Sequence, residues 1–230
     1  AGKGRLEFQS HTQRHARIHT APEVAGFLTL EMQRGYAAMD VPLIEEKGAD
    51  LLAADAPLGT PLLRSEPRTS DALRFREEPE IRRACVRLVA EEGREAFFAR
   101  PGWEARLWKL VRGRRIAGRM ETAEEQETAI RFELTEARRE LEERTPHAVI
   151  HLCYPWHAGG RVARRIAREA GYRTAFLGKV PGVPITRAGG DVERIARIGE
   201  DYVELLPGRG RQTLTLVLAR KWSRRFRGGT

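Results

Sequence analysis

Hydrophobic and polar positions form their clearest pattern between residues 148 and 177. Residues 148–153 (AVIHLC) are a short, largely apolar run typical of a buried strand, and residues 173–177 form another. Between them, residues 161–170 have helical spacing and end at Gly171, a residue favoured just after a helix. A strand, a helix and a strand of these lengths predict a βαβ unit with parallel strands. The predicted fold class is therefore α/β.

Three further segments have the spacing of amphipathic helices. Residues 80–92 and 103–111 place apolar side chains three or four positions apart, which puts them on one helix face. Residues 122–125 (TAEE) form a capping box, in which Thr and Glu side chains satisfy backbone N–H groups at a helix start. The helix that this motif opens is predicted to end near Arg144.

The remaining segments give weaker patterns. Alternating apolar residues predict strands over residues 5–9, 201–206 and 213–218. Residues 23–38 are interpreted as a helix with its apolar side chains on one side. Residues 40–76 are predicted to be an elaborated loop, because prolines interrupt any long periodicity there.

Composition places the chain among ordinary globular domains. Its 230 residues are 41% hydrophobic and 32% charged, enough for one domain with its own core. No run of about 18 apolar residues occurs, so the sequence predicts no transmembrane segment. Cys85 and Cys153 lie far apart in sequence, and their spacing predicts neither a disulfide framework nor a cysteine zinc site.

The charge balance raises the possibility of an anionic partner. The net charge is +9 and the pI is about 10.2, with clusters at residues 109–119 and 220–227. Such clusters attract phosphate and other anions. The alternative, which we favour, is a solvated arginine-rich surface. No motif of a nucleic-acid-binding fold accompanies the clusters, so we expect no nucleic acid partner.

Two histidines follow the first predicted strand. His11 and His15 are four residues apart, so one helical turn would bring both imidazoles to the same side. Neutral imidazole nitrogens suit zinc or a similar divalent ion. By spacing alone, the more frequent arrangement is a pair of unliganded histidines on a surface turn. His19, four residues further on, could extend the row or be solvated.

The sequence around this pair resembles a known family. Residues 7–15 (EFQSHTQRH) resemble the second motif of polysaccharide deacetylases of the NodB-homology type, a strand ending in Ser-His-Thr/Ser-x-x-His. Residues 133–176 contain HLCYPW and REAGYRTAF, which resemble the family's strand ending in Tyr-Pro-aromatic and its next helix and strand. The resemblance covers roughly residues 5–20 and 123–180.

The resemblance implies a distorted (β/α) barrel with its site at the C-terminal ends of the strands. On this interpretation residues 1–200 are a partial NodB-like domain, incomplete at the N-terminus, with a large and mostly helical insertion at about residues 40–121. Residues 201–230 would add C-terminal strands and a basic tail.

The resemblance also implies a metal-dependent hydrolase acting on carbon–nitrogen bonds other than peptide bonds. It would remove N- or O-linked acetyl groups from a polysaccharide or glycan. His11 and His15 would bind a divalent metal, expected to be zinc. Tyr154, Pro155 and Trp156 would bind substrate, with an oxyanion donor from the backbone near Tyr154, and His157 is a candidate general acid.

The sequence departs from the family pattern in three respects, one of which is that no His follows His157, so the late Leu-x-His motif that supplies the general acid in many members is missing. The first family motif, Thr-Phe-Asp-Asp, carries a metal-binding Asp and the base, and we expect its place to be upstream of Ala1. Cys153 stands where many members have an Arg. We therefore expect the chain alone to show little or no turnover. The alternatives are a non-catalytic glycan-binding relative and a basic protein that binds an anionic polymer. The compartment is left open between the cytoplasm and the cell envelope of a bacterium.

Overall fold

The computed structural model describes residues 7–178, 189–197 and 211–226. The strands are β1 (Arg17–Phe27), β2 (Ile44–Glu46), β3 (Ala49–Leu51), β4 (Pro61–Pro67), β5 (Phe75–Glu77), β6 (Gly118–Met120), β7 (His151–Cys153), β8 (Thr174–Leu177) and β9 (Ile195–Ala196). The helices are α1 (Leu30–Arg34), α2 (Glu80–Glu91), α3 (Glu95–Phe98), α4 (Trp103–Val111), α5 (Ala123–Arg144), α6 (Arg161–Glu169) and α7 (Leu214–Phe226). Short 3₁₀ helices span Tyr36–Asp40 and Pro155–His157.

A small parallel sheet of β7, β8 and β9 forms one part of the fold. Ser10 extends it beyond β7, because its N–H donates to the His151 carbonyl (3.1 Å) and its carbonyl accepts from Cys153 (2.8 Å). Helix α6 connects β7 to β8, which confirms the predicted βαβ unit and a mixed α/β fold. Within residues 7–178, 189–197 and 211–226 the strands do not close into a barrel.

Helices α5 and α6 cover this sheet and share its core. Leu152 of β7, Ile130 and Leu134 of α5, and Ile166 of α6 are all fully buried in one cluster. The predicted capping box is confirmed at the start of α5, where the Thr122 and Glu125 side chains each accept the other's backbone N–H. The long helix is thus fixed at its first turn and held along its length by packing.

A second core lies among the antiparallel strand pairs and helices α2 to α4. Strand β1 pairs with β4, β2 with β3, and β5 with β6. Phe97 of α3, Cys85 of α2 and Leu107 of α4 are fully buried there. The predicted helices at residues 80–92 and 103–111 are confirmed as α2 and α4.

The predicted helix over residues 23–38 is wrong. Residues up to Phe27 belong to β1, which pairs with β4 across a register that includes Val24 with Leu63. Only α1 and the following 3₁₀ turn are helical. Pairing with a strand about 40 residues away supplies the hydrogen bonds, and local periodicity does not reveal such a partner.

The segment from residue 40 to 121 also differs from its prediction. Residues 40–76 contain strands β2 to β5 instead of an elaborated loop, and β6 follows near the end of the segment. The description "mostly helical" fits only the α2 to α4 portion.

At the C-terminus, α7 replaces the strand predicted over residues 213–218. Leu214, Leu216 and Leu218 alternate as in a strand, but only Val217 among residues 214–218 is buried. A helix satisfies its own backbone hydrogen bonds and so needs no neighbouring strand. The strand predicted at 201–206 lies outside the described residues, as do Arg5 and Leu6 of the first predicted strand. None of the helices described is both long enough and apolar enough to cross a bilayer.

Candidate functional site

The His11–His15 turn follows Ser10, which forms an isolated bridge with β7 at the edge of the parallel sheet. Ser10 is the last sheet residue, and the two imidazole centroids lie 4.9 Å apart with the rings tilted by 56°. The C-terminal end of β7 leads into Trp156, whose ring centroid lies 4.1 Å from that of His15. The structure thus brings together three of the residues singled out in the sequence, at the expected edge of the sheet.

The His11 ring has a defined hydrogen-bonding state. Its Nδ1 lies 2.5 Å from the carbonyl oxygen of Cys153. Because a carbonyl can only accept, Nδ1 carries the proton and donates. The lone pair of His11 Nε2 is then available, and a ring N–H donated to a backbone carbonyl is the usual support for a metal-binding imidazole.

The His15 ring has an unsatisfied polar atom. Its Nδ1 is buried and has no hydrogen-bond partner among the residues described. Burial lowers the pKa of His15, and the nearby His11 ring lowers it further, while an interaction with its own backbone and then the charge of Asp40 oppose the shift. A neutral imidazole with a free lone pair is the form that binds a metal.

Backbone strain is concentrated at the same place. Thr12, His15, Trp156 and His157 have φ values of 68°, 51°, 45° and 63°, in the left-handed region that favours glycine. Such conformations cost about 1–3 kcal/mol each and persist only where surrounding contacts enforce them. The strain marks both the histidine turn and the turn after β7.

Helix α5 supplies the contacts that hold the histidine turn. The Glu133 carboxylate accepts from the Arg14 backbone N–H (2.9 Å) and from Arg14 Nε (2.7 Å), and the Glu133 carbonyl accepts from the Gln13 N–H (2.9 Å). Arg14 also reaches Asp50 at 3.3 Å. Glu133 is the first residue of the second stretch that resembles the family, but nothing in the sequence indicates that it anchors the histidine turn.

Trp156 is held by two residues that sequence reasoning also missed. Its indole Nε1 donates to the Asp40 carboxylate (2.9 Å), and the Arg17 guanidinium carbon lies 5.2 Å from its ring centroid. Asp40 ends the 3₁₀ turn after α1, and Arg17 begins β1. Neither position carried a sequence signal, because their proximity to Trp156 depends on the tertiary fold.

Tyr154 and Pro155 are placed in the interior. The Tyr154 ring is fully buried in the core beneath the parallel sheet, and burial raises the pKa of its hydroxyl. Its N–H already donates to the Phe176 carbonyl at 3.1 Å. Pro155 is buried as well. Of the three predicted substrate-binding residues, only Trp156 is partly exposed.

The other histidines occupy separate environments. The His157 side chain is largely exposed and lies against Gly178, just after β8; desolvation of its ring, followed by the charges of Arg197 and His11, lowers its pKa. His151 is half-buried in β7, with Nδ1 2.5 Å from the Thr174 hydroxyl. His19 does not extend the row, because it is buried in β1 and its Nε2 accepts from the Leu63 N–H.

The donor set fits part of a metal site. His11 and His15 offer two nitrogens on one side of the turn, and the unsatisfied Nδ1 of His15 suits a ligand. Within the described part of the chain, no group of three His, Cys, Asp or Glu side chains is placed to hold a metal. Asp40, although it acts on His15, therefore does not complete a three-ligand set.

Comparisons with known proteins give limited similarity. No family model and no curated protein matches the chain. The deacetylase domain of BpsB from Bordetella bronchiseptica aligns with 35% of this chain and 29% of its own, at 20% identity and a TM-score of 0.29. A de-N-acetylase from Aggregatibacter actinomycetemcomitans aligns with 36% and 30%, at 17% identity and a TM-score of 0.32. The similarity spans less than a third of the length of either structure.

Proposed function

We propose that the protein is a metal-dependent hydrolase that removes N- or O-linked acetyl groups from a polysaccharide or glycan. The proposal rests on the paired imidazoles of His11 and His15. The lone pair of His11 Nε2 is free, and the buried Nδ1 of His15 has no hydrogen-bond partner among the described residues. Their position at the C-terminal end of a parallel sheet is where α/β folds place active sites. On this proposal the sheet is one section of a distorted (β/α) barrel of the NodB-homology type.

The metal proposed is zinc, held by His11 and His15. Two imidazoles, one of them oriented by a backbone carbonyl, are nitrogen ligands that suit this ion. When bound there, a divalent cation would supply Lewis-acid polarisation of an acyl carbonyl. No described His, Cys, Asp or Glu side chain completes a three-ligand set with the pair, so we expect turnover by this chain to be low.

The remaining residues have proposed roles in binding and proton transfer. The Trp156 ring would stack on a sugar, with its orientation fixed by the hydrogen bond to Asp40. His157, exposed next to Trp156, is the candidate group that would protonate a leaving amine or alcohol, and its lowered pKa means that acidic solution would favour this role. Tyr154 would act from the core by supporting the strained turn that carries Trp156.

Zinc titration tests the proposal directly. Equilibrium dialysis or calorimetry is expected to show one zinc ion per chain, with affinity reduced by about tenfold or more in both His11→Ala and His15→Ala. His147→Ala is the matched control, because His147 is exposed and lies outside the turn. Equal zinc binding by all three variants would contradict the site. Acetate release from N-acetylglucosamine oligomers and O-acetylated xylan, with and without chelator, then tests the reaction.

A second candidate function is non-catalytic glycan binding through Trp156. It is favoured by the absence of a third metal ligand among the described residues near the histidines. Chelator-treated protein would then bind N-acetylglucosamine oligomers as well as the zinc-loaded form, and Trp156→Ala would abolish that binding. Binding that requires zinc would favour the hydrolase.

A further inference from the structure

A groove separate from the histidine pair lies along α4. One cleft of about 590 Å³ is lined by Pro22, Glu23, Val24, Trp108, Val111, Arg112, Arg114, Arg115 and Ile116. A second of about 710 Å³ is lined by Glu104, Ala105, Trp108, Lys109 and Arg112. Both share Trp108 and Arg112, so the two clefts meet at these residues. We call the combined surface the Trp108 groove.

The cations of the Trp108 groove are largely uncompensated. Lys109, Arg112 and Arg115 are exposed and form no ion pair with any described residue, while Arg114 reaches Glu80 at 3.4 Å. Arginines on the surface of α5 and α6, in contrast, have acidic partners: Arg165 forms ion pairs with both Glu127 and Glu169. The groove therefore presents net positive charge, whereas the α5–α6 surface is neutralised by its own glutamates.

Trp108 provides a fixed apolar platform in the middle of the groove. Its ring packs edge-on against Phe27, with centroids 5.2 Å apart, and its indole N–H is directed at Glu104 (3.4 Å). The side chain is half-buried, so its orientation is set by the protein before any ligand arrives. A fixed indole suits stacking with the apolar face of a sugar ring.

We propose that the Trp108 groove binds a segment of an acidic polysaccharide. The arginines would hold carboxylate or sulfate groups, because the planar guanidinium can donate paired hydrogen bonds to two oxygens of either anion. Glu23 and Glu104 stand in the same walls and would accept hydrogen bonds from sugar hydroxyls. The same two carboxylates would repel nucleic acid more strongly than a polysaccharide, because duplex DNA carries a dense row of negative charges, about one phosphate per 1.7 Å of axis.

The site is tested with an oligogalacturonate probe and calorimetry. Arg112→Gln/Arg115→Gln is expected to weaken binding by about tenfold or more, since each removes charge-assisted hydrogen bonds. The matched control is Arg165→Gln/Arg168→Gln on α6, where the guanidinium groups already have glutamate partners, and it is expected to change affinity less than about twofold. All four side chains are exposed, so both variants are expected to fold.

Three outcomes would overturn the proposal. Equal loss of binding in the groove and control variants would indicate attraction to net charge alone. Tighter binding of single-stranded DNA than of oligogalacturonate at the same salt concentration would indicate a nucleic acid ligand. If the unaltered protein does not bind the probe, the Trp108 groove is not a binding site for acidic polysaccharide. We expect the probe to bind equally well in the presence of chelator and to His11→Ala. That result would show that the Trp108 groove binds independently of the proposed hydrolase site.

Discussion

The buried carboxylate of Glu133 accepts both the backbone N–H and the Nε–H of Arg14, so one side chain of helix α5 fixes the turn between the two paired histidines. The Glu133 side chain is only 1% exposed. Hydrogen bonds to a buried charge are stronger than those between neutral groups. The spacing of His11 and His15 therefore depends on a residue that lies more than 100 positions away in sequence.

Replacing Glu133 tests this dependence. Glu133→Gln keeps the shape but removes the charge, and we expect it to reduce the free energy of unfolding by about 1–3 kcal/mol. The control is Glu136→Gln on the same helix, which disturbs an exposed pair with Arg139 and should lower the free energy of unfolding less than Glu133→Gln does. Urea denaturation measures both, and zinc titration shows whether the turn has moved. Equal stability of the two variants would contradict the anchoring role.

Sequence patterns predict correctly those features that are determined by residues close together in the chain. The capping box at Thr122 and Glu125 is complete within four residues. The rings of His11 and His15 do lie 4.9 Å apart, but in a bend with positive φ at Thr12 and His15 and not in the helical turn assumed from their spacing. The pairing of β1 with β4 depends on distant partners, so residues 23–38 were assigned to a helix. Asp40 reaches Trp156 across 116 positions, a contact that periodicity cannot indicate.

A fully buried ion pair gives the second prediction. Arg68 donates to both carboxylate oxygens of Glu121, at 2.9 and 2.6 Å, and its backbone N–H donates to the Ala16 carbonyl just after the histidine turn. Arg68→Met is expected to cost about 3–5 kcal/mol, because it leaves the Glu121 charge buried without its partner. Glu121→Gln should retain the acceptor for the Arg74 N–H.

The double variant supplies the decisive comparison. Arg68→Met/Glu121→Gln should be more stable than Arg68→Met alone, because the stranded charge is gone. The free energies of unfolding of all four proteins, taken from urea titrations, complete the double-mutant cycle. Strictly additive effects of the two substitutions would show that Arg68 and Glu121 are not coupled.

The third prediction concerns the pH dependence of stability. Burial, followed by the charges of Arg74 and Arg82, lowers the pKa of His19 from 6.5 to about 3. The unfolded chain therefore binds a proton between these values that the folded protein does not. His19 contributes its full stability above pH 6.5, and this is lost progressively as the pH falls toward about 3.

This loss is measurable over a modest pH range. Between about pH 7 and pH 5 the free energy of unfolding should fall by about 2 kcal/mol through His19 alone. His19→Gln cannot titrate and should have a correspondingly smaller pH slope, whatever its absolute stability. His147→Gln, at an exposed position, should retain the slope of the unaltered protein. The same slope in all three proteins would show that folding does not lower the pKa of His19.

The fourth prediction concerns the indole N–H of Trp156. Because Asp40 accepts this hydrogen at 2.9 Å, Asp40→Ala should expose it to water and accelerate its hydrogen exchange. Asp40→Asn keeps an acceptor oxygen and should preserve most of the protection, and Asp55→Ala serves as an exposed control in the same part of the chain. The indole proton resonance, assigned by its loss in Trp156→Phe, reports the exchange rate. Rapid exchange in the unaltered protein would mean that Asp40 does not hold the ring, and Trp156 would then be free to reorient at the histidine pair.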